Sequence, residues 1–147
     1  MSSNIPRVGF GIMILNENNE VLLGLRHNDP KKADSELHGE GSWTMPGGKL
    51  EFQESLIEGA KREVEEECGL IVKSLEFISV SSDMAPDAHF VTIGFLCREF
   101  EGEPEAREPN EIIEWQWYDA DGVPGSMFPP SRKILDNYLH KTHFSEE

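Results

Sequence analysis

Residues Gly48–Leu70 read GKLEFQESLIEGAKREVEEECGL, and their spacing decides the interpretation of the whole chain. Ser55 followed by Glu58 has the form of a capping box, Gly69 with Leu70 behind it is a C-terminal stop, and no proline intervenes. A helix from about Ser55 to Cys68 is predicted. At roughly 100° per residue, Ile57, Ala60, Val64 and Cys68 share one face, expected to pack on a core. Glu63, Glu66 and Glu67 fall within a neighbouring arc of about 100°. Like charges three and four residues apart destabilise an isolated helix, so this edge is either a solvated acidic face or a site. Pro46-Gly47-Gly48 stands just before it, and its glycines permit tight turns that expose carbonyl oxygens to a ligand. Such hard oxygen donors suit Mg²⁺ or Mn²⁺ rather than zinc.

Written as a pattern, the stretch is G-x5-E-x7-R-E-U-x-E-E-x-G-U, with U aliphatic. All seven single-letter positions and both aliphatic ones match, which chance would produce roughly once in 10^8 starting positions. The stretch resembles the Nudix box, and the chain is identified by it as similar to the Nudix hydrolase superfamily. The resemblance implies an α/β fold, the Nudix α/β/α sandwich with a central mixed β-sheet and a loop-helix-loop catalytic motif. It also implies metal-dependent cleavage of a diphosphate linkage in a nucleotide or similar compound, with Mg²⁺ (or Mn²⁺) as cofactor. By the same resemblance Glu63, Glu66 and Glu67 are metal ligands, together with the backbone carbonyl of Gly48. Arg62 resembles the arginine that pairs with a box carboxylate and holds loop and helix together. Glu54 matches the first box glutamate, whose role is partly structural. Water would attack phosphorus, and the carboxylate that takes its proton is sought first at Glu63 and Glu66, then at Glu108.

The later stretch EFEGEPEAREPNEIIEWQWYD is similar to the corresponding region of MutT-type members that hydrolyse nucleoside triphosphates, and places Glu108 on their fourth metal glutamate. The competing reading is an acidic surface loop, since Glu101, Glu103, Glu105 and Glu111 surround it. Near the start, the apolar run Val8–Leu15, the turn Asn16–Asn19 and the run Val21–Arg26 resemble the opening of MutT-type domains. Arg26 then sits where several members place a phosphate-contacting arginine. Residues His27–Gly41 are long for a connection and lead into Trp43, so they are expected to form a substrate loop. His38 and Trp43 are the candidate substrate contacts there. His89, Phe90, Trp115 and Trp117 are further candidates for contact with a base, although strand aromatics are more often core.

The 147 residues are expected to form a single domain, 1–147, with strands over Val72–Val80, His89–Phe100 and Ile112–Tyr118. A closing helix is predicted over Pro130–Leu139, and the tail from about residue 140 to 147 is expected to be flexible. Cys68 and Cys97 read as buried thiols rather than a disulfide. The N-terminus lacks the features of a signal peptide, and a cytoplasmic location is expected. A net charge of −15 disfavours nucleic acid and anionic membranes as partners. Seven of the 28 acids lie in the box, where divalent cations would invert the local potential. Gly48-Lys49 is no P-loop, because Trp43 stands at the first glycine position and Leu50 replaces Ser or Thr; Gly9 and Gly11 lack the third dinucleotide glycine, replaced by Ile14.

The substrate first expected is a nucleoside triphosphate, cleaved to monophosphate and pyrophosphate, with an oxidised or pyrimidine base. An ADP-ribose or nucleotide-sugar pyrophosphatase is the alternative, suggested by Pro86, 16 residues beyond Leu70. A non-catalytic nucleotide-sensing module is the alternative of another class, opposed by the intact box. Homodimers occur among similar small members.

Overall fold

The computed structural model describes residues 4–29, 31–32, 37 and 39–146. The first apolar run forms strand β1 (Arg7–Ile14) and the second forms β2 (Glu20–Arg26). The turn between them is held by Asn16 Oδ1, which accepts the N–H groups of Asn18 and Glu20 at 3.0 Å each. There follow β3 (Trp43–Thr44), β4 (Gly47–Lys49), helix α1 (Leu56–Cys68) and β5 (Ile71–Val72). The hairpin strands β6 (Glu76–Ala85) and β7 (Ala88–Cys97) come next, then β8 (Phe100–Glu101) and β9 (Ile112–Asp119). The chain closes with α2 (Pro129–His140) and β10 (Phe144–Ser145).

Five strands form a mixed sheet in the order β10-β6-β7-β1-β4, in which β1 and β7 run parallel and β6 and β7 antiparallel. A second, antiparallel sheet has the order β3-β2-β9, and β5 pairs with β8. Strand β1 reads as an unbroken apolar run because both its faces are covered. Phe10, Ile12 and Ile14 join Ala60, Val64 and Cys68 of α1 in one core, while Met13 and Leu15 join Ile134 and Leu135 of α2 in the other. One helix thus lies on each side of the strands, the α/β/α arrangement expected.

Four local expectations need correction. Ile57 is 43 % exposed, and Gly59 is buried in its stead against the Phe10 ring, since the first turn of α1 overhangs the sheet. The strand expected at Val72–Val80 is two: β5 pairs with β8, and β6 begins at Glu76 and continues to Ala85. His89–Phe100 likewise divides at Cys97. The C-terminal tail carries β10, whose Phe144 and Ser145 pair with Val80 and Ser81. Both cysteines are free and buried, and burial pushes the Cys68 thiol up to about 12, leaving it unreactive.

Candidate functional site

The capping box forms as expected: Ser55 Oγ accepts the Glu58 N–H at 3.1 Å, and Glu58 Oε1 accepts the Ser55 N–H at 3.3 Å. With the start of α1 fixed, Arg62 projects back over the preceding loop. Its Nε and Nη2 donate to the two oxygens of Glu54 at 2.6 and 2.9 Å, a bidentate pair. Nη1 donates to Glu63 at 2.6 Å and Glu66 at 3.0 Å, and Nη2 also reaches the Lys49 carbonyl at 3.1 Å. Three carboxylates and a loop carbonyl therefore share one guanidinium. The Arg62 hydrogen bonds hold the Glu54 carboxyl down at about 2.

The glycines before the helix serve close approach. Gly47 lies so near the β1 backbone that a methyl group there would collide with Phe10, and its N–H donates to Glu67 Oε1 at 2.7 Å. A methyl group at Gly48 would overlap the Glu63 carboxylate, which packs directly against that backbone. Burial pushes the Glu67 carboxyl well above the ordinary carboxylate range, only partly offset by the Gly47 N–H, and neighbouring Glu63, Glu108 and Glu111 push the same way. Burial also raises Glu63, against the pull of Arg62. Crowded like charges of this kind are relieved by a proton or by a cation.

Among the described residues no three acidic, His or Cys side chains are already gathered as a ligand set, since Arg62 engages Glu63 and Glu66 while Gly47 engages Glu67. The donor chemistry nevertheless fits a hard divalent ion: all-oxygen groups, two of them raised by burial, around a backbone kept open by glycine.

These carboxylates line a cavity of about 550 Å³. Glu63, Glu66, Glu67, Glu108 and Gly48 are all in its walls, so the box and the later loop meet there. Burial pushes the Glu108 carboxyl up most, and the charges of Glu111 and Glu66 push it the same way. Arg26 lines the cavity as well, its Nε on the Gly39 carbonyl at 3.1 Å and its guanidinium 4.8 Å above the Phe128 ring. Trp43 is not brought there; its ring packs edge-on against Tyr118 at 5.1 Å, within the α2-side core. Trp117 stacks on Phe100, and His89 is exposed on β7 away from the cavity. His38 lies outside the described residues, as does much of the expected substrate loop, though Leu37 lines the cavity. Phe90, Thr92, Phe128, Pro130, Ser131 and Ile134 complete the lining. Of these only Phe90 was a sequence candidate. Thr92 and Ser131 carry a weak signal, as polar residues inside apolar elements, whereas Phe128 and Glu111 carry none.

A family model described as NUDIX domain matches residues 5–138. This chain belongs to the Nudix family. Its Nudix relatives include an ADP-ribose pyrophosphatase of Methanocaldococcus jannaschii, 33 % identical over 86 % of this chain and 69 % of that protein. An 8-oxo-dGTP diphosphatase of Escherichia coli is 30 % identical over 86 % of this chain and 90 % of its own length. Among solved structures, a MutT Nudix hydrolase from Burkholderia pseudomallei superimposes with a TM-score of 0.80 at 29 % identity, covering 91 % of this chain and 98 % of that one. As a Nudix protein with diphosphatase and pyrophosphatase relatives, the chain is a hydrolase acting on phosphorus-containing anhydrides.

Proposed function

We propose that the chain hydrolyses a nucleoside triphosphate to its monophosphate and pyrophosphate, using Mg²⁺ or Mn²⁺, as a single cytoplasmic domain without nucleic-acid partners. One observation carries the choice of substrate: a single cavity joins the box carboxylates to a compartment walled by Phe90 and Phe128, with Arg26 beside it. Its carboxylates suit metal-held phosphates, and its aromatic rings suit a flat base. The relative acting on 8-oxo-dGTP, matched over most of both chains, supports the same reading and, of the oxidised and pyrimidine bases expected, the oxidised one.

Glu63, Glu66, Glu67, Glu108 and the Gly48 carbonyl would hold the metal, which when bound would neutralise phosphate charge and make a water more acidic. Arg62 positions Glu63 and Glu66 along one edge of α1, and Glu54 positions Arg62. Glu63 or Glu66 takes the proton from the attacking water, each held in place by Arg62 Nη1. Arg26, held by Gly39 and Phe128, offers a positive charge to the phosphates.

The second reading, ADP-ribose pyrophosphatase, is favoured by the 33 % identical relative. The proline that suggested it from sequence sits with Asp87 at the β6–β7 turn, between the paired Ala85 and Ala88, and does not line the cavity. A panel of ordinary and oxidised (d)NTPs, ADP-ribose and nucleotide sugars with Mg²⁺ separates the two. Pyrophosphate from one triphosphate supports the first reading; AMP with ribose phosphate from ADP-ribose alone would replace it by the second. A homodimer, also proposed, is tested by light scattering.

A further inference from the structure

Among the described residues, three hydroxyl side chains line the cavity, Thr44, Thr92 and Ser131, and each commits its proton within the protein. Thr92 Oγ1 lies 2.7 Å from Asp83 Oδ2, as does Ser81 Oγ. On the other oxygen, Lys133 Nζ of α2 donates at 2.9 Å, and it also reaches the Ser82 carbonyl at 2.8 Å. Asp83 is only 4 % exposed, and the lysine with two hydroxyl donors matches it as a carboxylate. A carboxylate can only accept, so Thr92 donates to it.

The opposite wall follows the same logic. Ser131 Oγ accepts the Met45 N–H at 3.0 Å and faces Thr44 Oγ1 at 3.2 Å. Thr44 Oγ1 is 2.9 Å from the Met45 carbonyl, which can only accept. Thr44 therefore donates to that carbonyl, and Ser131 donates to Thr44. All that these three hydroxyls retain for a ligand is lone pairs.

We propose that this wall of three acceptors, set among rings that carry the cations Arg26 (over Phe128) and Lys49 (over Phe90), selects nucleobases presenting N–H donors, exocyclic amino groups above all. Thr92 and Ser131 are the specificity-determining acceptors, and Asp83, through Lys133, is the positioning residue that sets the polarity of Thr92. The inference rests on the nucleotide reading given above. It assigns the base to the walls that carry Phe90, Thr92, Phe128 and Ser131, because the carboxylates are committed to metal and phosphate.

Asp83→Asn gives the sharpest test. Lys133 still donates at the Oδ1 position, so the amide oxygen belongs there and the amide NH₂ faces Thr92 and Ser81. Thr92 must then accept, and its proton turns towards the cavity. Thr92→Val removes the acceptor, while Thr92→Ser keeps it; Asp83 retains Ser81 and Lys133 in both.

Calorimetric titration of the full chain with Mg²⁺ should compare adenosine, guanosine and cytidine monophosphates with their amino-deleted counterparts, the monophosphates of purine riboside, inosine and pyrimidin-2-one riboside. These probes have no anhydride to cleave. In at least one pair the amino-bearing member should bind about tenfold or more tightly. That ratio should fall below about threefold in Thr92→Val, survive in Thr92→Ser, and shrink or reverse in Asp83→Asn, each variant first shown to melt cooperatively. Ratios under threefold for all pairs in the unsubstituted protein, no binding of any probe, or persistence of the preference in Thr92→Val would overturn the proposal. Triphosphate turnover is measured in parallel. Turnover without base preference removes only this inference, whereas preference in binding without turnover removes the triphosphate reading and leaves the acceptor wall standing.

Discussion

Replacing Glu67 by glutamine should stabilise the metal-free protein while abolishing most of its response to divalent ions. The Glu67 carboxylate is partly buried, accepts one N–H from Gly47 at 2.7 Å, and lies near Glu63, Glu108 and Glu111. Withdrawing such an ion from water costs up to several kcal/mol. Its charge-assisted hydrogen bond returns about 1.5–3 kcal/mol, leaving a net penalty of order 1–2 kcal/mol. Glutamine keeps the Gly47 bond through its amide oxygen and sheds the charge. For a domain of this size, that gain is about 3–8 °C in melting temperature. The pH dependence has a definite sign. A carboxyl raised in the folded state binds its proton more tightly there than in the unfolded chain, so stability falls as pH rises from the ordinary carboxylate value through the raised one. Thermal unfolding in chelator at pH 5 and pH 8, with and without Mg²⁺, measures each part. The unsubstituted protein should gain most from Mg²⁺ at pH 8, and Glu67→Gln should be the more stable of the two in chelator at that pH. A variant that is less stable in chelator at pH 8, or that gains as much from Mg²⁺, would refute this account of the acidic end.

The other expectations concern single parts of the site. Arg62→Lys replaces a five-bond fork by a point charge and should weaken Mg²⁺ binding about 10–100-fold, read from the metal dependence of turnover. Gly48→Ala places a methyl group in the Glu63 carboxylate and should cut kcat by about 10²-fold or more with the protein still folded, checked by circular dichroism. Phe128→Ala should raise KM about 3–10-fold with little change in kcat, as expected for loss of a stacking wall. Glu54, held at about 2 by Arg62, supports stability fully above the ordinary carboxylate value and loses that support as pH falls towards 2; acid unfolding of Glu54→Gln should lack this component.

The box was legible because its determinants are local. The capping pair Ser55 and Glu58, the left-handed Gly69 and the Arg62 to Glu66 spacing lie within one helix and its flanks. Strand β1 was legible for a related reason, being covered on both faces and hence apolar throughout. The extension of β6 through Ser81, Ser82 and Asp83 was hidden, since those polar residues resemble a turn unless Thr92 and Lys133, 9 and 50 residues away from Asp83, are known to satisfy them. Ile57 misled because helical periodicity shows which residues share a face but not where the covering sheet ends. Trp43 misled because proximity in sequence to the Pro-Gly-Gly turn does not determine which side of β3 its ring takes. The cavity walls that join β7 to the start of α2 are an assembly without any local pattern.

The central claim is that the α1 carboxylates drive metal-dependent attack of water on a nucleotide anhydride. Pyrophosphate release from the preferred triphosphate, compared between the unsubstituted chain and Glu66→Gln at equal melting temperature, tests it most directly. Release that requires Mg²⁺ or Mn²⁺ and falls at least about 10²-fold in Glu66→Gln is the predicted result. Turnover that persists in chelator, or is unchanged by Glu66→Gln, would contradict the account.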